Sequence, residues 1–67
     1  MTIMFERFTE HGAEKEKVFL TSKQIGTIYF DEDRKSYVYE TMQGKVWKLG
    51  EYLSPMARKK VILYIQS

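Results

Sequence analysis

The nearest this sequence comes to an acid–base pair is the run TEHGAE, where the only histidine, His11, lies between Glu10 and Glu14. A general base needs an orienting carboxylate, and the spacing allows one. Catalysis also needs a nucleophile or metal, an oxyanion stabiliser and a pocket. The sequence identifies no such set, so His11 reads as a solvated loop histidine, no residue is taken as catalytic, and no enzyme is expected. DEDR (31–34) holds carboxylates at alternate positions, Asp31 and Asp33, as a calcium loop begins. The central glycine, distal glutamate and flanking helices of such a loop are missing, so the run reads as a charged hairpin tip. The glycines Gly12, Gly26, Gly44 and Gly50 are scattered and form no phosphate-cradling loop. With cysteine absent, thiolate metal sites and disulfides are excluded. No cofactor and no metal are expected.

Basic residues near aromatics are the stronger signal. Lys45 and Lys48 flank Trp47, and Arg34 and Lys35 precede Tyr37 and Tyr39. Arg58, Lys59 and Lys60 open a C-terminal helix, although a helix start favours acids. These eight residues, Arg34, Lys35, Lys45, Trp47, Lys48, Arg58, Lys59 and Lys60, are the candidate partner-binding set. Two readings compete for them. One is a protein partner with an acidic surface. The other is nucleic acid, with Trp47 and the tyrosines stacking on bases and the lysines following the backbone. Against both stands the plain one: Trp47 and about half the tyrosines are core, and the lysines are a solubilising face.

Charge divides along the chain. Residues 1–33 hold Arg7, Lys15, Lys17 and Lys23 against Glu6, Glu10, Glu14, Glu16, Asp31, Glu32 and Asp33, or 4 − 7 = −3. Residues 34–67 hold Arg34, Lys35, Lys45, Lys48, Arg58, Lys59 and Lys60 against Glu40 and Glu51, or 7 − 2 = +5. Opposite ends, or two sheet edges, could then meet in a homodimer.

The elements that must position these residues follow from pattern. Ile3 and Phe5 on one parity, and Met4 and Phe8 on the other, mark a strand over 2–9, and polar TEHGAEKE (9–16) reads as a loop. KVFLT (17–21), IGTIYF (25–30), SYVYETM (36–42) and KVWKL (45–49) read as strands, with DEDRK and Gln43-Gly44 as turns. Tyr37 and Tyr39 share a face opposite Val38 and Met42, and Trp47 and Leu49 oppose Val46 and Lys48. Ser54 as cap and Pro55 at the first position open a helix over about 54–66, with Ala57, Val61 and Ile65 as its apolar stripe beside Tyr64, widened by Ile62 and Leu63.

The prediction is a single α+β domain over residues 1–67, β-rich to residue 50: a small twisted antiparallel sheet of four to five strands with one C-terminal helix packed on one face. At 67 residues and 43% hydrophobic composition the chain can fold alone, though with a small core. No apolar run is long enough to span a bilayer, and Glu6 and Arg7 interrupt any signal-peptide core, so the expected place is the cytoplasm without membrane association. The functional expectation is a small non-enzymatic binding module, a regulatory, inhibitory or accessory protein such as phages and mobile elements encode. Nucleic-acid binding through the basic half is the alternative.

Overall fold

The loop expected over 9–16 is replaced by a tight hairpin. In the computed structural model, which describes residues 2–53 and 55–66, β1 (Ile3–Glu10) reaches β2 (Ala13–Leu20) through His11 and Gly12 alone. Both turn residues have positive φ, 52° and 78°, as the commonest two-residue hairpin turn requires. Glycine adopts this at no steric cost, and histidine is among the residues that tolerate it. The polar AEKE run is therefore strand. Its alternation puts Glu14 and Glu16 in phase with Val18 and Leu20, and the ladder is unbroken from Ile3 opposite Leu20 to Glu10 opposite Ala13.

A second two-residue turn, Thr21-Ser22, also with positive φ, leads into β3 (Lys23–Asp31), two residues earlier than expected. The charged tip behaves as expected of a hairpin. Asp31 Oδ1 accepts the Asp33 and Arg34 N–H groups at 2.9 and 3.3 Å, and Lys35 takes positive φ before β4 (Ser36–Thr41). The carboxylate that a cation would need is thus held by its own turn. Gly44, with φ of 89°, donates its N–H to the Thr41 carbonyl and turns the chain into β5 (Val46–Gly50). The helix α1 spans Pro55–Gln66, and the expected cap, Ser54, lies outside the described residues.

The sheet has five strands in the order β1-β2-β3-β4-β5, every neighbour antiparallel. With one C-terminal helix this is the small α+β architecture expected. Directly opposed residues share a face, and one face carries the core. Val18, Ile28, Tyr39 and Leu49 are buried there with Ala57 and Val61 of α1. Ile3, Phe5, Ile25, Tyr37, Trp47, Leu53, Tyr64 and Ile65 pack around them. The expected stripe on the helix is the buried one, although Leu63, which was to widen it, is 63% exposed. Two register slips add apolar residues to this core. Ile25 is the extra residue where Val18 faces Gly26 but Phe19 faces Gln24, and Leu49 is extra where Tyr37 faces Gly50 but Val38 faces Lys48. Among the described residues no helix is long and apolar enough to cross a membrane.

Candidate functional site

The basic start of α1 is explained mainly by the sheet. Arg58 reaches back to β2, where its Nε and Nη2 donate to Glu16 Oε1 and Oε2 at 3.0 and 2.6 Å. Glu16 is only 1% exposed, and Arg7 of β1 adds a weaker contact at 3.7 Å. Two parallel charge-assisted bonds are the strong form of this interaction, and arginine's fork suits them as lysine does not. Hydrogen bonding to Glu16 raises the Arg58 pKa further, so the guanidinium stays charged. The first turn of the helix contains no acid of its own. The carboxylate comes from a strand 42 residues earlier.

The remaining candidates divide between engaged and exposed groups. Lys60 Nζ donates to the Leu49 carbonyl at 3.1 Å. Arg34 is ion-paired with Asp31, whose carboxyl is held below its ordinary range chiefly by that bond. Lys35 stands 3.9 Å from Glu32, both fully in solvent. Trp47 is half-buried, with its ring stacked on Tyr64 at a centroid distance of 4.5 Å and the Lys45 ammonium 4.7 Å from its centroid. Tyr39 is buried and Tyr37 half-buried against the core. Lys48 and Lys59 are exposed. The eight candidates are therefore not one surface: Arg34 and Lys35 occupy the β3–β4 turn, Lys45 ends the β4–β5 connection, and the rest belong to β5 and α1.

One feature escaped the sequence reading. Met56 and Leu63, two helical turns apart, are 62% and 63% exposed on the side of α1 away from Ala57 and Val61. Lys59 lies between them in sequence, on the same outward side. Tyr52, just before the helix, is 77% exposed. The apolar moment of the helix is thus spread over two sides, one buried and one open. The signal was present in the seven-residue spacing of Met56 and Leu63.

The opposite face of the sheet has its own network. Tyr29 Oη donates to Glu40 Oε1 at 2.7 Å across β3 and β4, and the Lys15 ammonium sits 6.0 Å from the Tyr29 ring. Lys17 lies 5.2 Å from the Phe8 ring, and Lys15 also pairs with Glu10 at 2.8 Å, which lowers the Glu10 pKa. The bond to Glu40, then burial, pushes the Tyr29 phenol up to about 12 from 10.0. A raised folded-state value means the bond stabilises the fold fully below about pH 10 and is lost as pH climbs towards 12. Absorbance titration of the tyrosines is expected to show this late phenol, and Glu40→Gln should bring it back towards 10. His11, at its turn, is exposed, and among the described residues no pocket and no cluster of three potential metal-ligating side chains forms.

The chain was compared with protein-family models, with curated proteins and with solved structures, and it matches none of them.

Proposed function

We propose that this chain is a small non-enzymatic binding module of the cytoplasm, acting as a regulatory or inhibitory accessory protein on a protein partner. With α1 read as lying along one face of the sheet, its outer side presents Met56 and Leu63 between Lys59 and Lys60, with Tyr52 at the approach. That exposed apolar stripe bordered by lysines carries the reading. Large apolar side chains left open on a small surface favour a partner that removes them from water, at about 25 cal/mol per Å² buried. The lysines favour an acidic rim around the receiving surface. Arg58, committed to Glu16, leaves the candidate set. Nucleic acid is the weaker reading, because the Trp47 ring is already stacked on Tyr64.

The test is a pull-down from lysate, with and without nuclease, comparing the parent with Met56→Asp/Leu63→Asp and with Lys59→Glu/Lys60→Glu. Recovery of one protein in stoichiometric amount, indifferent to nuclease, is expected from the parent. Each double variant should lose it about tenfold or more while keeping its circular dichroism. Capture abolished by nuclease would move the interface to nucleic acid, and unchanged capture by both variants would remove α1 from it.

A further inference from the structure

The two edges of the sheet are not alike. β5 is short, carries the Leu49 bulge, and has its Leu49 carbonyl taken by Lys60. Bulges and edge lysines are the usual protection against pairing with another chain. β1 has neither bulge, proline nor lysine over its eight residues.

Its hydrogen-bonding parity can be read directly. The Thr21 N–H donates to the Thr2 carbonyl at 2.8 Å, and these residues oppose each other one step beyond Ile3 and Leu20. Thr2 is therefore in a hydrogen-bonded pair, and by alternation so are Met4, Glu6, Phe8 and Glu10. The intervening residues Ile3, Phe5, Arg7 and Thr9 turn their N–H and C=O groups outwards, to the free edge.

We infer that this edge pairs, antiparallel and about a two-fold axis, with β1 of a second copy of this chain, joining two five-stranded sheets into one. A two-fold perpendicular to the sheet keeps each face continuous, so residues of like parity must oppose. Only one such register uses all four outward-facing residues: Ile3 opposite Thr9, and Phe5 opposite Arg7, each pair occurring twice. Centring on Phe5 or on Arg7 instead engages three of them, and the latter sets Arg7 against Arg7. In the full register the closer, non-hydrogen-bonded positions set Met4, 59% exposed, against Phe8 of the second copy, while the hydrogen-bonded positions set Arg7 against the Phe5 ring. The flaw is Glu6 opposite Glu6 at the axis. Each already has Lys17 opposite it on β2, so the row reads Lys, Glu, Glu, Lys, with a lysine beside each glutamate.

The experiment is sedimentation velocity over a concentration series, paired with amide hydrogen exchange. The parent is expected to dimerise reversibly, with the Ile3, Phe5, Arg7 and Thr9 amides exchanging more slowly at high concentration. Glu6→Gln should tighten the dimer by up to about fivefold, the worth of ~1 kcal/mol for a cross-strand pair. Thr9→Pro should abolish it, because proline at an outward-facing edge position spares the monomer's ladder and blocks the incoming strand. Thr9→Ala, the control, should leave it unchanged. A strict monomer with concentration-independent exchange at those four amides would overturn the inference. So would a dimer indifferent to Thr9→Pro. Met56→Asp/Leu63→Asp on the outer side of α1 should leave this equilibrium alone, so the proposed partner surface and this edge stand or fall separately.

Discussion

Arg58→Met is expected to reduce the stability of the fold by about 3 kcal/mol, because it strands a carboxylate that is 1% exposed. A carboxylate left buried without its partner typically costs 3–5 kcal/mol. The lower figure applies here, since Arg7 remains 3.7 Å away and the Arg58 side chain is itself 31% exposed. A domain of this length has a total stability on the order of 3–10 kcal/mol, so the loss is a large share of it. The double variant Glu16→Gln/Arg58→Met should recover most of the deficit, because a neutral amide needs far less compensation than a charge. Urea unfolding of the two single variants and the double variant gives the coupling directly. If Arg58→Met is as stable as the parent, the pair contributes nothing net and the helix is held by its apolar contacts alone.

Gly26→Ala is expected to cost about 2–3 kcal/mol, the range for forcing atoms into a filled core. A Cβ at this position would stand 2.7 Å from the Glu40 carbonyl oxygen and closer still to Cε1 of Tyr39. The ring could swing aside, but the carbonyl belongs to a strand already fixed by its ladder with β3. Tyr39→Leu should therefore relieve only part of the strain when combined with Gly26→Ala. A melting temperature lower by roughly 10–20 °C is the expected readout for a domain this small. An unchanged melting temperature would mean that β3 and β4 can separate locally without cost.

Legibility varied with the chemistry of each segment. IGTIYF and SYVYETM carry enough aromatic and β-branched residues to be recognised as strands, and the charged tip between them is visible by contrast. Alternation also grouped Tyr37 with Tyr39, and Trp47 with Leu49, and both pairs lie on the side that carries the core. The first half of β2 was hidden because the positions in phase with the core are Glu14, which is exposed, and Glu16, which is buried, and a hydrophobic pattern registers neither. That error also hid the partner of Arg58. Glu16 falls two residues before Val18, in phase with the core, and this parity was the available clue once AEKE was taken as strand. His11-Gly12 misled similarly: asparagine or aspartate before glycine is the familiar hairpin signal. Leu63 was taken into the apolar arc and Met56 was not singled out, because spacing gives the sides of a helix but not which of them the sheet will cover.

The unbroken order β1-β2-β3-β4-β5 has a consequence for how the chain reaches this structure. Each strand pairs with the one just made, so the sheet can grow hairpin by hairpin, and no step closes a loop longer than a few residues. The Arg58–Glu16 pair is the exception, bridging 42 positions of sequence. It ties α1 to a strand that no hairpin brings near it in sequence. The helix is thus the clasp of the ribbon, holding together segments that the hairpins leave far apart along the chain.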